Sequence, residues 1–291
     1  MSNIIGKARY IDLGLASPEV YNLTGTWTYR SYLEDLDLGS LSVGSTFKLG
    51  KYQVESETPW SIEWEIVHQE SDYQIAMTKQ IIDLRPFDAK ESTNTDSDRS
   101  KYGNNNWQYS NIEQWLNSDQ ASWYSAQHQY DAPPNSSNVS NNPYDTHKGF
   151  LYYWSNEEKS LLKDISFDLA NPKVDGEGSY NWTGKVWLPT YTQMTGITNT
   201  KTHEGTQFSK FTDNASRIKT INKYCAENNP YCKAKSKTEG TAWYYWVSSR
   251  YQNLSEGMQL IYSAGNPTSY ASAYDGSNGL APCICLPRHN S

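Results

Sequence analysis

The sequence predicts an α+β fold of short antiparallel strands with two or three helices, on three observations. Short segments in which apolar and polar residues alternate recur along the chain, the mark of half-buried strands. Two stretches instead place a Ser three positions before a Glu, the opening of a capped helix. The third observation is the ring content. Hydrophobic residues make up only 36% of the 291, yet 11 Trp, 23 Tyr and 6 Phe are present. Rings that each bury roughly 150–250 Å² can build a core that aliphatic residues alone would not.

Residues 1–43 read as an N-terminal arm or edge segment. Within them 22–32 alternates polar and aromatic positions like a strand, and 34–39 breaks it with acids and Gly39. The main domain is expected over 44–291. It opens with a strand over 46–54, carrying Gly50 in its middle. Ile62-Glu-Trp-Glu-Ile-Val67 alternates cleanly and 73–78 follows a polar turn, so the three form a meander. Residues 88–106, rich in Ser, Asn, Asp and Lys, are expected as an exposed loop. Ser110 and Glu113 then predict a capping box, with Ile112, Trp115 and Leu116 on one helical face. Ser155 and Glu158 predict a second, continued by Leu161, Leu162 and Ile165 at helical spacing. A third helix is expected around Ile218 and Ile221. Strands close the chain over 184–189, 242–249, 258–262 and 283–286. Alternation in Trp243-Tyr-Tyr-Trp246 puts Trp243 and Tyr245 on one face and Tyr244 and Trp246 on the other, one pair being core.

Several of these segments carry a shared pattern. They are Trp64-Glu-Ile-Val67, Trp107 with Ser110, Trp115-Leu116-Asn117, Lys185-Val-Trp-Leu188, Trp243 to Ser249 and Gly279 to Leu286. In this order, over residues 44–286, they resemble a domain of unknown function common in Gram-positive bacteria and their phages. Trp115-Leu116-Asn117 is the most specific of them. The chain departs where Ala281 replaces the usual Arg and where the Trp-Trp-Leu-Arg-Ser strand is rewritten. That family is similar to the C-type-lectin-like fold shared by formylglycine-generating enzymes and the variable proteins of phage retroelements. The resemblance therefore implies a C-type-lectin-like domain and a phage habitat, without an activity.

Charge narrows the partners. A net charge of -7 lacks the basic stripe that nucleic acid requires and the polybasic patch of a membrane-surface protein. No apolar run is long enough to span a bilayer. Residues 1–7 show no charged segment followed by an apolar one, so no signal peptide is expected. Synthesis in the host cytoplasm and release in a virion is the localisation that fits. Cys225, Cys232, Cys283 and Cys285 admit buried free thiols, two disulfides or a metal site, although neither spacing is that of a zinc knuckle. His68, His128, His147, His203 and His289 form no metal-binding helix motif and read as surface or turn residues, with His68 placed to be buried. No metal or cofactor is expected.

Recognition is expected in residues 251–279, where small residues are punctuated by rings. Tyr251, Tyr262, Tyr270 and Tyr274, with Asp275, are the candidate ligand-binding residues. They could stack on a sugar or fill a partner's pocket, or pack on the domain's own hairpin. The functional expectation is a non-catalytic phage virion protein, a receptor-binding or decoration module for a host-surface glycan or protein. Its expected partners are other virion proteins and a second copy of itself. The alternative is an enzyme of the same fold acting on glycans or thiols.

Overall fold

The computed structural model describes residues 20–21, 27–28, 38–198, 202–267 and 269–288. The chain forms two units, residues 1–36 and 37–291. In the first, β1 (Val20–Tyr21) pairs antiparallel with β2 (Trp27–Thr28); the remainder of the strand expected over 22–32 lies outside the described residues.

Two five-stranded sheets organise the second unit. One has the order β3 (Thr46–Tyr52), β4 (Trp60–Gln69), β5 (Tyr73–Thr78), β14 (Cys283–Pro287), β9 (Val186–Trp187), antiparallel throughout. The other runs β12 (Ser269–Ser272), β11 (Gly257–Ile261), β10 (Tyr245–Arg250), β13 (Gly279–Leu280), β6 (Asp83–Leu84). Its single parallel pairing sets Tyr245 beside Gly279. A separate hairpin joins β7 (Ile165–Ala170) to β8 (Ser179–Gly184). Among the described residues, seven α-helices of one or two turns fill the connections: α1 (Arg99–Tyr102), α2 (Asn111–Leu116), α3 (Asn156–Ser160), α4 (Tyr191–Thr195), α5 (Asn214–Arg217), α6 (Lys223–Asn228) and α7 (Pro230–Ala234). The class is mixed α+β, with more and shorter helices than the two or three expected.

The strands form where alternation is cleanest. In β4, Trp60, Ile62, Trp64 and Ile66 are buried while Ser61, Glu63 and Glu65 reach solvent. A register shift between Ile66 and His68 then buries Val67 and His68 on consecutive positions. Alternation fails in β10. Trp243 and Tyr244 precede the strand, and Tyr245 and Trp246, on opposite faces, are both fully buried. The strand sits in mid-sheet with both faces covered, so neither pair is the exposed one.

The helices keep their caps and lose their expected lengths. Ser110 accepts from Glu113 N, but the Glu113 side chain turns away to accept from Trp182 Nε1 at 3.1 Å, leaving the box half made. Ser155 and Glu158 complete theirs. That helix stops at Ser160, and Ile165, expected to continue it, opens β7 instead. Ile218 and Ile221 fall between α5 and α6; Ile221 bridges to Ile81 as a strand residue would. Most of the 88–106 segment is irregular but not exposed: Asp88, Glu91, Arg99, Asn104, Asn105 and Asn106 are buried. Their side chains replace a ladder. Asp88 accepts from Asn104 N and Asn111 N, and Asn105 donates to Leu254 O and Gly257 O. A polar segment can be interior when its own side chains satisfy the backbone.

Gly50 is the tightest backbone position. It lies at the β3 register shift with φ of +67°. An added Cβ would stand 2.1 Å from Trp154 Cε2, and its N–H donates to Glu158 Oε1 at 2.9 Å. Strain and clash therefore act together. Gly50→Ala is expected to destabilise the domain by about 2–4 kcal/mol, read as a lower urea midpoint. An unchanged midpoint would show that Trp154 moves freely.

Candidate functional site

The segment Ile81-Ile-Asp-Leu-Arg-Pro-Phe87 sets two charges inside an apolar run. Residues two apart on a strand share a face, and Asp83 and Arg85 are both fully buried there, with Arg85 Nε donating to Asp83 Oδ2 at 2.6 Å. Burial pushes the Asp83 carboxyl up and Arg85 pulls it back. The carboxylate also accepts from Tyr52 OH at 2.5 Å, Asn229 Nδ2 at 2.8 Å and Leu84 N at 2.8 Å. Burial and the Asp83 charge hold the Tyr52 phenol well above its ordinary value, so it remains the donor. The far end of Arg85 donates to Val54 O at 2.6 Å and Pro143 O at 3.1 Å. All three guanidinium nitrogens therefore donate.

Above this pair lies a cavity of about 290 Å³. Tyr52, at the end of β3, and Trp115, from α2, form its aromatic floor, edge to face at 5.9 Å. Trp115 Nε1 donates to Lys148 O at 2.9 Å, which fixes the wall made by Thr146 to Gly149. Gly149 is required by packing, since a Cβ would stand 2.3 Å from Ser118 O. Opposite, Tyr153 OH donates to Gln53 Oε1 at 2.5 Å. At the rim the Lys148 ammonium lies 4.2 Å from the Tyr152 ring centroid and 5.1 Å from that of Tyr153, within cation–π range.

The polar wall consists of Glu55 and His147. Arg85 Nη2 lies 3.1 Å from His147 Nδ1, and a guanidinium can only donate. Nδ1 therefore accepts, and the ring proton sits on Nε2. Burial, reinforced by the Arg85 charge, lowers His147 to about 3, so the imidazole is neutral. Its Nε2 faces Glu55 Oε2 at 3.6 Å, beyond direct hydrogen bonding. Burial raises the Glu55 carboxyl, against the pull of Arg85. The wall thus presents a fixed N–H donor beside a carboxyl acceptor, with a gap between them.

The residues expected to bind ligand lie elsewhere, on and around the β11–β12 hairpin. Tyr251 and Tyr270 pair at 4.4 Å, Tyr262 pairs with Tyr244 at 5.1 Å, and Tyr274 pairs with Tyr102 at 5.6 Å. The four rings are thus divided among three ring pairs. Tyr270 is 47% exposed. Asp275 Oδ1 accepts from Ser277 N at 3.0 Å and ties the local turn. All four cysteines are free and buried. Burial pushes the Cys283 thiol far up and Cys285 to about 12, which disfavours the thiolate at both sulfurs. His68 is buried, the one His whose strand position allowed for it; His147 lies on a turn, half-buried, and its contact with Arg85 was not expected. Sequence reasoning passed over Asp83, Arg85 and Asn229. The available signal was two charges at strand spacing among Ile81, Ile82, Leu84 and Phe87.

A family model described as a domain of unknown function (DUF6273) matches residues 73–288, and the chain belongs to that family. Trp115, His147, Lys148 and Arg85 fall inside the matched span, whereas Tyr52 and Glu55 precede it. No curated protein and no solved structure matches the chain.

Two outcomes follow for stability. Asp83→Asn leaves Arg85 buried without its counter-ion and is expected to cost about 3–5 kcal/mol; the Asp83→Leu/Arg85→Met double variant is expected to lose less, measured by urea unfolding. For His147, the folded value of about 3 lies below the ~6.5 of a free imidazole. The unfolded chain then takes up the proton first, so stability present above pH ~6.5 falls as the pH drops toward 3. His147→Gln should flatten that part of the pH dependence between pH 7 and 4.5. Equal slopes in both proteins would contradict the neutral imidazole.

Proposed function

We propose that this DUF6273 member is a non-catalytic recognition module that takes a neutral sugar unit of a host-surface glycan into the cavity above Tyr52 and Trp115. The observation that carries the reading is the 3.6 Å gap between His147 Nε2 and Glu55 Oε2. One hydroxyl oxygen can accept from Nε2–H and donate to the carboxylate within ordinary hydrogen-bond reach of both. Aromatic floor, convergent polar pair and a volume at the lower end of ligand pockets suit a single sugar ring. A protein partner would more often present a side chain to a wider groove.

Recognition is favoured over catalysis by the state of the same groups. A general base works best with a pKa near the operating pH, and His147 titrates near 3. The Tyr52 phenol and the Asp83 carboxylate are committed to each other. The supposed setting is a phage particle, where the module serves as a receptor-binding or decoration protein among other virion proteins. The family resemblance to phage-borne domains and a chain with 24 Asn and 23 Tyr support that setting. Mass spectrometry of purified particles from a strain carrying the gene is the direct check on it.

Binding is tested by titrating neutral monosaccharides and short wall glycans against the protein, followed by NMR or calorimetry. Saturable binding without product is expected. Thr146→Trp, at an exposed lining position, should close the mouth and abolish it with an unchanged melting temperature. Glu55→Ala should weaken it about tenfold, roughly 1.4 kcal/mol. Binding that survives Thr146→Trp, or turnover of the glycan, would overturn the reading.

A further inference from the structure

We propose that Cys225 and Cys232 form a built disulfide site, oxidised by exchange with a low-molecular-weight disulfide while α6 and α7 are still open, and that the bond then fastens both helices beneath the cavity. The two sulfurs lie 3.7 Å apart, and both residues are fully buried. Each is the third residue of its helix, and each backbone is held by a cap. Cys225 N donates to Asn222 Oδ1 at 2.7 Å and Cys232 N to Asn229 Oδ1 at 3.2 Å. With the helix starts capped and the sulfurs already 3.7 Å apart, a bond of about 2.05 Å requires them to close by roughly 1.7 Å.

The other two cysteines contrast with this. Cys283 and Cys285 stand two apart on one strand, roughly 6.8 Å by strand rise, against the about 4.5 Å Cβ separation that a disulfide tolerates. Cys283 faces the buried Lys219. The framework therefore selects one pair of the four thiols. Burial also sets the time of reaction. Once packed, the Cys225 thiol is pushed well above its ordinary value, and the thiolate is the reacting species. Oxidation belongs to the unpacked chain or to local opening, and the packed product is shielded.

The exchange balances without a metal. The Cys225 thiolate attacks one sulfur of oxidised glutathione, and a glutathione thiolate leaves. The Cys232 thiolate then attacks Sγ of Cys225 in the mixed disulfide; the second glutathione thiolate departs. Two protein thiols are oxidised to one disulfide, one glutathione disulfide is reduced to two thiols, and the two protons pass to the departing thiolates. Asn229 lies within the closed ring, and its side chain donates to Asp83 Oδ1 at 2.8 Å and Leu84 O at 3.2 Å. On the other side, Tyr224 stacks on Trp60 of β4 at 4.4 Å. The bond would thus hold the polar floor that carries Asp83.

The full chain is unfolded and refolded either in a reduced–oxidised glutathione mixture or with excess dithiothreitol. Thiols are then counted in denaturant, peptides mapped by mass spectrometry, and melting temperatures compared. The oxidised product should show two thiols rather than four and a cross-linked peptide joining Cys225 to Cys232. Its melting temperature should rise by roughly 5–10 °C. The Cys283→Ser/Cys285→Ser variant should behave alike, whereas Cys232→Ser should show no cross-link and one melting temperature in both media. Four free thiols in an oxidatively refolded native protein, a cross-link to Cys283 or Cys285, or a lower melting temperature for the cross-linked form would each overturn the proposal.

Discussion

The buried pair of Asp83 and Arg85 is the contact on which the arrangement of the second unit depends. Asp83 lies on β6 in one sheet, and the Tyr52 hydroxyl that it accepts comes from β3 in the other. Arg85 reaches loops at Val54 and Pro143, and its own carbonyl accepts from Trp246 Nε1 on β10. Asn229 adds α7 to the same carboxylate. Two charges withdrawn from water would ordinarily be unfavourable, and their mutual contact together with the hydrogen bonds that both make renders the placement tolerable. The compensation is also a specification. A sheet packed at another angle would leave at least one of these partners stranded, so the polar centre selects one packing among the many that an aromatic core would accept.

The cavity takes its character from that centre. The guanidinium that neutralises Asp83 also faces His147; it sets the tautomer of the imidazole and adds to the burial that keeps the ring neutral. Glu55 is held near by the same charge. The polar wall is therefore preorganised by the fold, and no rearrangement is needed to present a donor beside an acceptor. The floor is rigid for a different reason: Tyr52, Trp115 and Phe150 pack ring against ring at 5.5–5.9 Å, and Trp115 ties the opposite wall through the Lys148 carbonyl. Structural support and the candidate site share residues, so substitutions on the floor will not separate the two roles, while those at the rim will.

Legibility in the sequence followed the range of the forces. The caps at Ser110 and Ser155 are satisfied within three residues, and both appear. The alternation of β4 survives because one face is solvated. Trp115-Leu116-Asn117 was the most specific of the recognised segments, and its chemistry is now visible. Trp115 closes the cavity floor, Leu116 is core, and Asn117 accepts from Lys185 N and Val186 N to dock the start of β9. Where both faces of a strand are covered, as for Tyr245 and Trp246, periodicity carries no information about which residue is inside. Segment 88–106 misled for a related reason. Its polar residues suit solvent and suit a buried backbone equally, and the partners that decide between them, such as Asp175 for Arg99 and Leu254 for Asn105, are distant in the chain.

By itself the sequence determined the mixed α+β class, the helix starts at Ser110 and Ser155, the solvent-facing side of β4 and an aromatic core, because local hydrogen bonding and solvation periodicity act over a few residues. Only the tertiary structure decided that Asp83 and Arg85 would be interior, that His147 would be neutral, that Cys225 would meet Cys232, and that Tyr251, Tyr262, Tyr270 and Tyr274 would divide among separate ring pairs. Each of those outcomes is set by which groups share a low-dielectric interior, and that sharing exists only once distant segments have packed together.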